Sequence, residues 1–183
     1  MYMDFDTITT ELQNLRFNKS SARRQSVGRK ASERDKKDVY YFIAGYIRNY
    51  KGVWDEKTKT NVKKIQVSNA TYYPKNQRVI EYAKALMLQH DPDFKYTSIQ
   101  FAKNMKTDKH KDKSNIGESY IVSLGQFQGG ELRIYEADSD EYTDVITKNR
   151  FYKFNANQTW HETCEWSGGD RYTITWFTIK NYD

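Results

Sequence analysis

What most constrains this chain is a change of hydrophobic period at Tyr96. Before it, apolar residues recur at three and four positions; after it, they alternate every second residue in short runs broken by Gly, Asn, Asp or Ser. In the first half, Ile8, Leu12 and Leu15 predict a short helix over 6–15. Val39, Phe42, Ile43, Tyr46, Ile47 and Tyr50 predict a second over 39–50, and Val79, Ile80, Ala83, Leu86 and Met87 a third over 76–90, stopped by Asp91-Pro92-Asp93. Between the last two, Val62, Ile65 and Val67 suggest a strand or two. The second half reads as six strands, at 96–103, 119–124, 131–135, 143–148, 151–154 and 171–179. Two or three helices followed by six short strands give an α+β domain, a jelly-roll-like β-barrel buttressed by its N-terminal helices.

At 183 residues the chain has the size of one domain, with residues 1–95 as a helical, basic half and 96–183 as the β core. Its single cysteine, Cys164, excludes an internal disulfide and any multi-cysteine zinc site. Met1 to Leu15 is amphipathic and acidic where a secretory signal would be apolar, and no run approaches the roughly 18 apolar residues of a membrane span. The expectation is an intracellular protein, cytoplasmic or nuclear, with no membrane partner. The net charge of +6 is concentrated between Phe17 and Lys37, where Lys19, Arg23, Arg24, Arg29, Lys30, Arg34, Lys36 and Lys37 face only Glu33 and Asp35. Such a block suits a phosphate backbone, because each neutralised phosphate releases counterions. A solvated, Ser-rich linker has the same composition.

Two of the three histidines sit in a pattern. His110 and Asp112 stand at i and i+2, which on an extended segment puts imidazole and carboxylate on one face. His161 follows Asp112 by 49 residues, a gap of about four strands, enough to travel round a small barrel and return. Two imidazoles and one carboxylate leave coordination positions open on a metal, the set expected of non-haem Fe(II) oxygenases. Asp108 is an overlapping candidate for the carboxylate. Ten residues after His161, Arg171 opens the last strand with Thr173 on the same face. A guanidinium fork with a hydroxyl beside it suits the distal carboxylate of 2-oxoglutarate. Phe127, Trp160, Trp166 and Trp176 read as barrel core, and Gly129-Gly130 as a hairpin turn.

Three runs carry a family likeness: Asn104 with His110-Lys111-Asp112 through Ser119, then Leu124-Gly125-Gln126-Phe127-Gln128-Gly129-Gly130-Glu131-Leu132, then His161 with Gly168-Gly169-Asp170-Arg171-Tyr172. Over about Tyr96 to Phe177 the sequence resembles the iron/2-oxoglutarate dioxygenase superfamily, and within it the TET/JBP-like branch that oxidises the methyl of thymine or 5-methylcytosine in nucleic acid. The resemblance implies a double-stranded β-helix of cupin-like form, with iron on His110, Asp112 and His161, and 2-oxoglutarate on Arg171 with Thr173. It further implies contact between Asn115 and the target base, O2 as oxidant, and ascorbate as a candidate reductant. An Asn amide can pair with a base edge that carries one donor and one acceptor, but Ser114-Asn115-Ile116-Gly117 is equally good turn chemistry. A hydroxylase of a protein or small molecule, or a cupin-like module without catalysis, would share the same barrel.

Overall fold

The computed structural model describes residues 2–20 and 39–181. Of the basic block only Lys19 lies among them; Arg23, Arg24, Arg29, Lys30, Arg34, Lys36 and Lys37 fall outside.

Helix α1 (Phe5–Asn14) starts where the Asp4 carboxylate accepts the Thr7 N–H at 2.7 Å, a side-chain cap that satisfies one orphan donor of the first turn. It buries Ile8 and Leu12. Helix α2 (Gln77–His90) buries the five expected residues, Val79, Ile80, Ala83, Leu86 and Met87. No helix among the described residues is long and apolar enough to cross a membrane.

The helix expected over 39–50 is instead the first part of a long strand. Strand β1 (Lys19–Ser20) pairs with β2 (Val39–Asp55), and β2 pairs with both β3 (Thr60–Val67) and β4 (Ser98–Lys103). The run Val39-Tyr40-Tyr41-Phe42-Ile43 is β-branched and aromatic, which favours a pleated surface, and Gly45 disfavours a helix interior. Its apolar residues fall on both faces because both are partly covered. Phe42 stacks on Phe101 at 4.7 Å, and Tyr41, Phe42 and Ile43, all half-buried, line a cavity of about 420 Å³ that reaches Tyr73 and Lys75. A strand covered on both sides loses its alternation and can imitate a helical repeat.

The remaining strands are β5 (Asn115–Leu124), β6 (Gln128–Gly129), β7 (Leu132–Tyr135), β8 (Tyr142–Val145), β9 (Tyr152–Phe154), β10 (His161–Thr163), β11 (Trp166–Ser167) and β12 (Tyr172–Ile179). The large sheet has the order β1-β2-β4-β12-β5-β9, with β3 joined to β2; a second sheet runs β10-β7-β8, and β11 pairs with β6. All the strand pairings among the described residues are antiparallel. This is the helix-buttressed double-stranded β-helix that the sequence predicts.

The central strands divide their labour by alternation. Ile99 and Phe101, Tyr120, Val122 and Leu124, and Tyr172, Ile174 and Trp176 join α1 and α2 in one buried cluster. Their neighbours in sequence, Ser98 and Gln100, Ser119 and Ser123, and Thr173, are buried polar residues on the other face, inside the barrel. That inner face is where His161 and Arg171 are also buried.

Gly45 marks where β2 leaves β4, its last partner there being Ser98. It has φ +93°, and a Cβ would lie 2.2 Å from the Thr97 carbonyl oxygen. Gly45→Ala is therefore expected to destabilise the fold by more than about 1 kcal/mol in urea denaturation. A wild-type midpoint would show that the bend does not need glycine.

Candidate metal centre

His110 lies on the loop between β4 and β5, and His161 opens β10. The two are joined by a reciprocal pair of backbone hydrogen bonds, His110 N to His161 O and His161 N to His110 O, both 3.0 Å. The pairing continues at Thr107 and Thr163, where the Thr163 N–H meets the Thr107 carbonyl at 3.1 Å and the two hydroxyls lie 3.0 Å apart. Asp112 is fixed by its own backbone: its N–H donates to the Ala156 carbonyl at 2.8 Å, and its carbonyl accepts from Asn115 N at 2.9 Å and Asn157 Nδ2 at 3.3 Å. The loop and the strand are thus registered by main chain, which leaves the side chains to converge.

They converge closely. One ligand atom from each of His110, Asp112 and His161 lies within 4.8 Å of the others. His110 Nε2 is 3.2 Å from Asp112 Oδ1, and His161 Nε2 is 4.0 Å from Asp112 Oδ2. Donors about 2.1 Å from an ion and at right angles to each other stand roughly 3 Å apart, so the group has the spacing of one face of a metal.

Protonation fits as well. His110 Nδ1 is 2.6 Å from the Asp108 carbonyl and His161 Nδ1 2.8 Å from the Thr159 carbonyl. A carbonyl oxygen can only accept, so each Nδ1 carries a hydrogen, which leaves Nε2 as the nitrogen each ring turns toward the cluster. Burial, and secondarily the neighbouring His110, pulls the His161 pKa down against the opposing charge of Asp112, which holds the ring in its neutral, ligating form. Phe154 packs edge-on against it at 5.0 Å. Asp108 contributes its carbonyl to this arrangement, and the carboxylate of the group is Asp112.

Arg171 stands just before β12 and is 2% exposed. Its backbone is held between two bonds to Asn104, whose N–H donates to Arg171 O at 2.7 Å and whose Oδ1 accepts from Arg171 N at 2.8 Å. Asn104 can do this because it adopts a left-handed conformation, φ +51°. The guanidinium lies 5.7 Å from the Phe127 ring and 5.5 Å from the Trp166 ring, and its Nη2 donates to the Gly130 carbonyl at 3.0 Å. Nε has no partner among the described residues, and no carboxylate there forms an ion pair with the group. Burial pulls its pKa down to about 10, so it remains a cation at neutral pH. A buried cation with an unused donor is a costly arrangement unless an anion completes it. The chemistry of this cradle therefore fits a bound carboxylate. Thr173, two residues on, is buried in register with Ala102 and Ser123.

Two expectations need correction. Gly129-Gly130 is not a simple hairpin turn: Gly129 pairs with Trp166, and Gly130, at φ +70°, backs onto Arg171 so closely that a Cβ would lie 2.8 Å from its Nε. Trp176 and Phe127 are buried as expected, but Trp166 walls the guanidinium and Trp160 is 37% exposed. The Lys109 ammonium lies 3.8 Å over the Tyr135 ring and Lys111 5.1 Å from the Trp160 ring, so both are directed away from the histidine cluster, as alternation requires. Asn115 begins β5, with its Nδ2 3.4 Å from Asp112 Oδ2, beside the cluster. Asn104, Asn157 and Gly130 were not foreseen as site residues. Their roles rest on backbone contacts, for which the sequence carries little signal beyond the paired glycines.

Comparison with known proteins agrees with this geometry. The model of a family described as the 2OG-Fe(II) oxygenase superfamily matches residues 87–178, a span that contains every candidate residue above. No curated protein matches the sequence. Among solved structures, an oxidoreductase of the 2OG-Fe(II) oxygenase family from Burkholderia pseudomallei superposes with a TM-score of 0.58 at 13% identity, covering 94% of this chain and 76% of the other. NgTET1 in complex with 5mC DNA gives 0.55 at 14% identity, over 95% and 68% of the two chains. OsALKBH1 gives 0.51 at 12%, over 95% and 90%. Likeness at these identities is likeness of fold.

Proposed function

Because the chain belongs to the 2OG-Fe(II) oxygenase superfamily, we propose that His110, Asp112 and His161 hold its Fe(II), that Arg171 with Thr173 holds the distal carboxylate of 2-oxoglutarate, and that it hydroxylates the methyl group of a pyrimidine base, 5-methylcytosine or thymine, in nucleic acid. Fe(II), 2-oxoglutarate and O2 are what the family uses. Together they supply oxidative decarboxylation to succinate, coupled to oxidation of an unactivated C–H bond. The residues of this chain bind and orient. The two imidazoles present their Nε2 atoms, Asp112 adds the negative charge, and the buried guanidinium offers a planar fork to a carboxylate. The observation that carries the reading is the pairing of that three-ligand group with a buried cation that forms no ion pair among the described residues and keeps Nε unpartnered there.

The choice of substrate has separate support. The chain carries +6, and NgTET1, a protein of similar fold, is seen with 5mC DNA. Asn115 is the residue we assign to the base. With its Nδ2 toward Asp112, its Oδ1 remains as an acceptor beside the cluster. An oxygenase acting on a base in a duplex must first flip it out of the stack.

The test is mass spectrometry of nucleosides from methylated and unmethylated DNA after incubation with protein, Fe(II), 2-oxoglutarate and ascorbate. The expected product is a hydroxymethylpyrimidine, formed with succinate. Succinate without an oxidised nucleoside would transfer the assignment to a protein or small-molecule substrate, and absence of both would favour a non-catalytic cupin-like module.

A further inference from the structure

The ribbon formed by the outer half of β2 and by β3 is unlike the rest of the fold. From Tyr46 to Asp55, roughly 30 Å of strand at ordinary rise, β2 has left β4 and, among the described residues, pairs only with β3, which has no other partner strand there. Two-stranded ribbons of this kind are marginal unless something packs on them. Here Val53 and Trp54 are 39% and 53% exposed near the tip, and Tyr46 is 47% exposed at the base.

Charge distinguishes it further. Between Tyr46 and Val67 stand Arg48, Lys51, Lys57, Lys59, Lys63 and Lys64 against only Asp55 and Glu56. Both acids are engaged within the turn. Asp55 accepts the N–H groups of Lys57 and Thr58, at 2.8 and 3.3 Å, and Glu56 accepts the Trp54 indole N–H at 2.8 Å and pairs with Lys59 at 2.7 Å. Lys51, Lys57, Lys63 and Lys64 form no ion pair among the described residues. The contact from Glu56 also holds the Trp54 ring in place at the surface.

Register and hydrogen bonding say which way the ribbon faces. The pairs Tyr46↔Val67, Arg48↔Ile65 and Trp54↔Asn61 put Tyr46, Arg48 and Trp54 on the same face as Lys63. At the base of that face Arg48 Nη2 donates to the carbonyls of Lys180 and Asn181, the latter at 3.0 Å. The Lys180 N–H in turn donates to Ser114 O at 2.9 Å, and Ser114 lies between Asp112 and Asn115. The basic, aromatic face is therefore anchored beside the turn that carries the carboxylate of the metal group. The ribbon lies outside the span matched by the family model.

We propose that this ribbon is the surface that grips the nucleic-acid strand, with Lys63 on the Trp54 face and Lys57 in the adjoining turn on phosphates, and Trp54 as a platform on which an unpaired base stacks. Cations beside an exposed, oriented ring are what a single strand, with its repeating phosphates and open base faces, would recognise. The proposal rests on the nucleic-acid reading above and adds where the strand lies.

The full chain is titrated with a fluorescent single-stranded oligonucleotide containing 5-methylcytosine, by anisotropy at several salt concentrations. The double variant Lys57→Gln/Lys63→Gln is expected to flatten the log–log salt dependence by about 1.4, since each phosphate neutralised on a single strand contributes about 0.7. Trp54→Ala is expected to weaken binding roughly 5- to 150-fold with little change in that slope, and Trp54→Phe to restore most of it. Calorimetric binding of Mn(II) and 2-oxoglutarate should be unchanged in all three variants, which separates a lost grip from a lost fold. If the wild-type chain binds the oligonucleotide and the variants match it in affinity and slope, the ribbon is not the grip, although the substrate reading stands. If the wild-type chain shows no salt-dependent affinity for the oligonucleotide, both fall.

Discussion

Asp112→Ala is expected to abolish turnover and to weaken Fe(II) binding by more than the about 10–100-fold that loss of a ligand's hydrogen-bonded partner costs. The substitution removes the only carboxylate in the three-residue group and leaves two imidazoles, too little to complete a facial site. It should do so without unfolding the chain, because what positions residue 112 is its main chain. The bonds to Ala156, Asn115 and Asn157 all involve backbone atoms of residue 112, which an alanine keeps. The same holds for His110→Ala and His161→Ala, whose reciprocal backbone pair is independent of the rings. Calorimetry with Mn(II) beside a thermal melt would check both halves. Wild-type metal affinity in Asp112→Ala would sink the assignment and turn attention to Asp108.

Arg171→Ala is expected to raise the 2-oxoglutarate requirement by about two orders of magnitude, because a charge-assisted bidentate contact is worth roughly 2–3 kcal/mol. Metal binding should barely change. A second variant separates a binding role from a structural one. Arg171 is buried with Nε unpartnered, so in the absence of co-substrate it carries a desolvation cost that an apolar residue of similar length would not. Arg171→Met should therefore melt at or above the wild-type temperature while losing 2-oxoglutarate binding. Thr173→Ala should show a smaller defect of the same kind. A wild-type co-substrate requirement in Arg171→Ala would place the distal carboxylate elsewhere.

The parts of this molecule that were legible in its sequence are those whose two faces differ in chemistry. From Tyr96 onward the alternation of apolar residues under the helices with polar residues of the barrel lining gave six of the nine strands, missing β6, β10 and β11, which are only two or three residues long, and the stripe Val79, Ile80, Ala83, Leu86, Met87 gave α2. It failed at Val39–Asp55, where both faces are partly covered near Phe42 and neither is buried near the tip. His110, Asp112 and His161 were legible as a group because few residue types can hold a metal. Asn104 and Asn157 were not, since what they touch is backbone, and any strand offers backbone. The wall around Arg171 from Phe127 and Trp166 was hidden for another reason: an aromatic residue reads as core whether it packs on leucine or on a guanidinium.

The alternation of the central strands bears on how such a protein can change. Stability is lodged in one set of positions, Ile99, Phe101, Val122, Leu124, Ile174 and Trp176, and the lining of the barrel in the set interleaved with it, Ser98, Gln100, Ser119, Ser123 and Thr173. A mutation that enlarges or reshapes the lining replaces one small polar side chain by another and leaves the hydrophobic layer beneath intact. The selectivity of the barrel can therefore drift by single substitutions at little thermodynamic risk, while the hydrophobic layer on the same strands stays fixed. For a laboratory seeking altered substrates, Gln100 and Ser119 are the positions at which to begin a library.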